Sequence, residues 1–165
     1  MHSLEKLVEI MEREYELHSS LLELSHKKTN VIVDGKINDL EKLVETEQYL
    51  VLQLVNLEDE RESCVEDLAR QLNMDSKDVT VSHLISLAEG ELKERLEELQ
   101  QLLSKQVNEQ KRINQLNERL IKNNLEYINF SLGLLTGRDQ AGNIYNRTGG
   151  TVSKQQERNL IDKEA

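Results

Sequence analysis

The chain of 165 residues carries 21 basic and 31 acidic side chains, a net charge of −10, and no proline or tryptophan. A strongly acidic surface repels the phosphate backbone, so the charge argues against binding of nucleic acids. Aromatic residues make up only 3% of the chain, a composition typical of long solvated helices that pack through narrow leucine seams. The absence of proline allows these helices to run without a break.

Cysteine content and hydropathy favour a cytoplasmic location. Cys64 is the only cysteine, so no internal disulfide can form and nothing indicates an oxidising compartment. Residues 1–10 lack the basic region and apolar run of a signal peptide, and no window reaches the ~18 apolar residues of a membrane span. We therefore expect a cytoplasmic protein.

The first half of the sequence predicts two helices in a hairpin, at about residues 4–33 and 38–73. Apolar residues recur in alternating steps of three and four residues along both segments, as in heptad repeats. Gly35 ends the first helix, and the pair Asn38 and Glu41 resembles a capping box for the second. Because only a few residues join the helices, we expect them to pack antiparallel.

Residues 74–90 interrupt the heptad pattern. A short helix at about 81–89, capped by Thr80, is predicted there, with Gly90 as a joint. A long helix then follows at about 91–136. Its seam turns polar in the middle and resumes with a shift that resembles a stutter. The polar positions are Gln106, Gln110 and Asn117.

These elements predict an all-α fold: an elongated antiparallel coiled-coil-like bundle of three long helices with a short connecting helix. Residues 138–165 contain glycines and few apolar side chains, and we expect them to form a flexible C-terminal tail. The domain assignment is therefore a helical domain at 1–137 followed by this tail.

The end of the long helix carries more apolar residues than one seam requires. A helix that is apolar on several faces must be buried on several sides. Three readings stay open: a groove for the helix of another polypeptide, a seam within the intramolecular core, or a homodimer seam. The candidate binding residues are Leu120, Ile121, Leu125, Ile128, Leu132 and Leu135.

The sequence contains no recognisable catalytic, cofactor or metal motif. Glu23 and His26 have the Glu-x-x-His spacing of di-iron bundles, but those sites need a second such motif and the chain has none. Cys64 falls in a helix seam, where we expect a buried, inert thiol. We therefore predict a binding protein that is not an enzyme and needs no metal or cofactor.

Charged residues interrupt the seams of both hairpin helices. In a hairpin that turns at Gly35, Glu14 and Arg61 would lie about one helical turn apart. One hypothesis is that they pair and set the register between the helices. The alternative is that both side chains reach solvent along the rim of the seam.

Several segments, in their order along the chain, resemble the FlgN-type flagellar export chaperones. They are a glycine-containing turn that leads into a leucine-rich helix at 33–43, a Leu-Glu-x-x-Arg segment at 57–61, and the helix end at 117–135. The tail segment 144–149 resembles the family's Tyr-Gly-x-x-Gly pattern, although Asn146 replaces its first glycine. Asparagine can also adopt a positive φ.

The resemblance implies that the clients are hook–filament junction proteins, bound through their C-terminal helical segments. The chaperone would keep the clients unassembled and deliver them to the export gate. Tyr145, which matches the tyrosine of the family's tail, would contribute to docking on the cytoplasmic domain of that gate. The alternative from another class is a structural coiled-coil adaptor that forms a homodimer.

Overall fold

The computed structural model of the chain describes residues 2–136, without the side chain of Ile128. The described residues form four α-helices and one short 3-10 helix at Ser76–Asp78, so the prediction of an all-α fold is confirmed. The predicted tail at 138–165, including Tyr145, lies outside the described residues. The helices are α1 (His2–Asp34), α2 (Ile37–Leu72), α3 (Val81–Leu87) and α4 (Gly90–Thr136).

By its internal packing the chain divides into two compact units, Met1–Glu118 and Arg119–Ala165. The first unit contains α1, α2, α3 and residues 90–118 of α4. The second unit begins within α4, so residues 119–136 are its described part. The two units are considered separately below.

Gly35 lies in the short turn between α1 and α2, and its φ of 70° falls in the left-handed region. The amide of Gly35 donates to the carbonyl oxygen of Ile32 at 3.1 Å, and that of Lys36 donates to Val31 at 3.0 Å. These bonds satisfy carbonyl groups that the end of α1 would otherwise leave free. Glycine suits this position because a side chain in the left-handed region is strained.

The predicted capping box at the start of α2 was wrong. The helix begins at Ile37, and its cap position is Lys36, which makes no side-chain capping bond. The amide of Leu40 donates to the carbonyl oxygen of Lys36 at 3.0 Å, so the helical bonding already includes Asn38. A residue inside the first turn cannot serve as the cap in front of it.

Side-chain pairs establish how the long helices run within the Met1–Glu118 unit. Between α1 and α2, Arg13 pairs with Glu60 and Lys28 pairs with Glu47. Residue numbers therefore rise along one helix as they fall along the other. The two helices are therefore antiparallel. From α1 to α4 the numbers rise together, which makes these helices parallel. The α1–α4 pairs are Glu12 with Arg95, Ser19 with Gln106, and Ser25 with Gln110.

The apolar core of this unit joins all four helices. It is formed where the start of α1 and the end of α2 meet α3 and the start of α4, and its most buried large side chains include Leu7, Leu84 and Leu96. Leu84 and Val79 belong to the segment that interrupts the heptads, so this segment packs on the hairpin. As predicted, Thr80 caps the short helix: its Oγ1 accepts from the His83 amide at 3.1 Å.

Candidate functional site

The predicted binding residues lie on residues 119–136 of α4, and most of them are exposed. Leu125 is 55% exposed and Leu135 is 83% exposed, values far above those of core leucines. Ile121 and Leu132 are also exposed, and Leu120 is half-buried. The side chain of Ile128 and all of Tyr145 lie outside the described residues. Leu125, Leu132 and Leu135 follow steps of seven and three residues, so they share one face of the helix.

A second apolar stripe on the same segment was missed as a candidate from the sequence. Tyr127, Phe130 and Leu134 are all more than half exposed. They follow steps of three and four residues and occupy a different face of the helix from Leu125. The sequence carries this signal, because the apolar residues there cover more than one face of the helix, but the predicted site comprises only the stripe that contains Leu125.

Residues 90–118 of the same helix behave differently. Leu96 and Leu99 belong to the apolar core, and Ile113 is also buried. Within α4, exposed apolar side chains thus concentrate beyond Glu118, in the second unit. Large exposed apolar surfaces on a soluble protein commonly mark sites for another polypeptide.

The middle of α4 faces α1 through a polar layer that we call the amide seam, defined by Gln106, Gln110 and Asn117. Gln106 Nε2 donates to the hydroxyl of Ser19, and Gln110 Nε2 donates to the hydroxyl of Ser25 at 2.6 Å. Ser25 is 0% exposed. The polar break seen in the sequence is therefore a matched contact with small hydroxyl residues of α1.

The amide seam leaves some buried acceptors without a partner. Gln106 Oε1, Gln110 Oε1 and His18 Nδ1 are buried and make no hydrogen bond among the described residues. Burial also lowers the pKa of the His18 imidazole, because desolvation disfavours its charged form. A groove of about 360 Å³ lies beside these groups, lined in part by His18, Val107 and Asn114. Unpaired buried acceptors weaken this contact relative to an apolar seam.

Glu14 and Arg61 pair across the hairpin, as one of the two hypotheses stated. Arg61 Nε donates to Glu14 Oε1 at 3.1 Å, and the same guanidinium also pairs with Glu58. Glu14 is buried, and burial raises the pKa of its carboxyl even though Arg61 opposes the shift. A slip of one helix along the other would leave the buried Glu14 carboxylate without its base, so the pair favours the observed register.

The described residues show no arrangement for catalysis at the groups that the sequence singled out. Cys64 is buried and its thiol donates to the carbonyl oxygen of Ser3 at 3.2 Å, while burial raises the thiol pKa. A raised pKa keeps the sulfur protonated and poorly nucleophilic. His26 is exposed. Within residues 2–136, no three His, Cys, Asp or Glu side chains are grouped to hold a metal ion, and no helix could cross a membrane.

Comparison with known proteins identifies relatives along nearly the whole chain. The family model described as "FlgN protein" matches residues 1–153. An uncharacterized protein, YvyG of Bacillus subtilis (strain 168), is 28% identical over 163 residues, which cover 99% of each chain. None of the solved structures matches the chain.

Proposed function

Because the chain belongs to the FlgN family of flagellar export chaperones, we propose that it binds hook–filament junction proteins in the cytoplasm and delivers them for export. Its helical domain at 1–137 would capture the C-terminal helical segment of the client. That capture would prevent the client from assembling too early. The proposed route of delivery is docking on the cytoplasmic domain of the export gate.

The exposed apolar side chains at residues 119–136 are the observation that supports this proposal. An amphipathic client helix offers an apolar stripe of the kind that helix-in-groove recognition uses. Burial of one leucine side chain stabilises a complex by about 1.5–3 kcal/mol. Contacts with Leu125, Leu132 and Leu135 would therefore offset much of the cost of ordering a flexible client segment.

Two matched substitutions on α4 test the proposed client site. Leu125→Asp places a charge on the exposed stripe, whereas Val107→Asp does the same at a side chain of similar exposure, 48% against 55%, in the other unit. We expect Leu125→Asp to abolish calorimetric binding of a purified junction-protein C-terminal segment, and Val107→Asp to spare it. Circular dichroism should show unchanged helicity in both. Equal binding by both variants would refute the site.

The docking role of Tyr145 has a separate test. Tyr145→Ala should leave binding of the client segment unchanged and reduce secretion of the junction proteins in a flagellated host. Normal secretion by this variant would remove Tyr145 from the proposal. The homodimeric adaptor predicts a different result, because light scattering would then show self-association without a client and no discrete complex with one.

A further inference from the structure

Helix α2 carries an apolar strip on the side that faces away from the core. Leu52 is 59% exposed and Val55 is 51% exposed, and Val51 is exposed beside them. Val55 lies three positions after Leu52 and four after Val51, so the three side chains form one continuous patch on the helix. Cys64, nine residues after Val55, lies on the opposite, buried side. We call this patch, with the half-buried Val44 one turn before Gln48, the outer α2 face.

Acidic side chains lie before and after the exposed apolar centre of the outer α2 face, on the same side of the helix. All of them are exposed, and none has an ion pair among the described residues. Each stands three, four, seven or eleven positions from an apolar member, which places them on the same side of the helix. The flanking acids are Glu41, Glu45, Asp59, Glu62 and Glu66.

Three acids in the middle of α2 are paired with bases within the chain. Glu47, Glu58 and Glu60 each pair with a base, respectively Lys28, Arg61 and Arg13. Arg61 also pairs with Glu14 of α1. Lys42, the other base between Glu41 and Glu66, lies thirteen residues before Val55, which places it on a different side of the helix from Val55. The outer α2 face is thus left with an excess of uncompensated negative charge around an apolar centre.

We propose that the outer α2 face binds an amphipathic helix of a partner protein that carries lysine or arginine at both ends of an aliphatic stripe. The exposed centre at Leu52 and Val55 would receive the stripe, and the flanking carboxylates would meet the bases. A second copy of this chain is a poor occupant, because its own acids would face those of the first copy. The surface belongs to the Met1–Glu118 unit and does not depend on the proposed client site at 119–136.

The test uses the full chain and a synthetic helical peptide, with leucines at three- and four-residue steps in its middle and lysines at both ends. Fluorescence anisotropy measures its binding at low and at high salt. A second peptide with glutamate in place of every lysine is the charge control. We expect the basic peptide to bind more tightly at low salt and the acidic peptide not to bind.

Variants locate the binding. Leu52→Ser with Val55→Ser should raise the dissociation constant at least about tenfold, since it removes the centre of the contact. Glu45→Gln with Asp59→Asn should weaken binding and reduce its salt dependence. The matched control, Glu9→Gln with Glu16→Gln, changes two exposed unpaired acids of α1 and should have no effect. Circular dichroism should show every variant folded.

Three outcomes would overturn the proposal. The first is peptide binding that survives loss of Leu52 and Val55. The second is an equal loss in the α1 control, which would mean attraction to net charge alone. The third is a wild-type chain that light scattering shows to be a dimer through this face. Because client binding is measured separately with the Leu125→Asp variant, a failure here leaves the proposed chaperone function standing, and the reverse also holds.

Discussion

The side-chain Nδ2 of Asn117, in α4, donates a hydrogen bond to the main-chain carbonyl oxygen of Ser25, in α1, at 3.0 Å. The other end of the same amide accepts a hydrogen bond from the hydroxyl of Thr29. Asn117 is buried, and so is its bond to Ser25, while the bond with Thr29 is partly buried. The amide therefore ties one helix to the other at a single register, which a leucine in the same place could not do.

Loss of this amide should destabilise the Met1–Glu118 unit. We expect Asn117→Ala to lower the free energy of unfolding by about 1–3 kcal/mol, because it removes two buried hydrogen bonds and leaves a cavity. Urea unfolding followed by circular dichroism measures the change. Asn108→Ala is the matched control on the same helix, since Asn108 is exposed and lies outside the amide seam, and it should cost under about 0.5 kcal/mol. Equal losses would show that the amide seam adds nothing specific.

The pair Glu14 and Arg61 gives a second prediction, with a pH signature. Arg61→Ala would leave a buried carboxylate without its base, so we expect a loss of about 1–3 kcal/mol at neutral pH after allowance for the partial exposure of Arg61. Arg13→Ala breaks a more exposed pair between the same helices, with Glu60, and should cost under about 1 kcal/mol.

The sign of the pH effect follows from the direction of the Glu14 shift. Burial raises the carboxyl pKa in the folded chain above its unfolded value, so the folded state takes up the proton more readily. The penalty for the buried charge is complete above the folded pKa and disappears below the unfolded one. The cost of Arg61→Ala should therefore shrink as the pH falls through the carboxyl range. A double-mutant cycle with Glu14→Gln should show coupling, and additive costs would contradict the register hypothesis.

The all-α fold and the Glu14–Arg61 contact could both be predicted from the sequence for the same physical reason. Buried positions on a helix recur every three or four residues, and both arms of a hairpin rise equally per residue. Once Gly35 was taken as the turn, the distance of each residue from it determined which residues face each other. Interactions that depend only on helical periodicity and on the position of one turn can be predicted from the sequence alone.

The contacts of the amide seam could not be predicted in this way. Gln106 and Gln110 were visible only as a polar break, because their partners Ser19 and Ser25 lie more than 80 residues earlier. The register of α4 against α1 depends on how residues 74–90 pack, and Leu84 and Val79 enter the core through tertiary contacts. The capping box failed for a related reason: the local signal at Asn38 was overridden when the helix extended to Ile37.

Gly35 supports a prediction about backbone strain alone. Its φ of 70° lies in the left-handed region, and a Cβ built there meets nothing within 4 Å. Gly35→Ala should therefore destabilise the chain by about 1 kcal/mol. The cause would be the strain of an alanine backbone at positive φ, and not a steric clash with a neighbour. Asn73, at φ 56°, occupies the same region with a side chain, so Asn73→Gly should be neutral or stabilising by a few tenths of a kcal/mol. A loss well above about 3 kcal/mol for Gly35→Ala would imply a contact.

His18 gives the last prediction, a loss of stability on mild acidification. Burial holds the imidazole pKa below its ordinary value, so the unfolded chain binds the proton more readily than the folded chain does. The stability that depends on neutral His18 is complete above the unfolded pKa and is lost as the pH falls from there toward the folded pKa. His18→Gln removes this titration, so the free energy of unfolding of the wild type should fall relative to the variant between about pH 7 and about pH 5. Urea unfolding at several pH values measures the difference, and a difference that stays constant across this range would mean that His18 is equally solvated in both states.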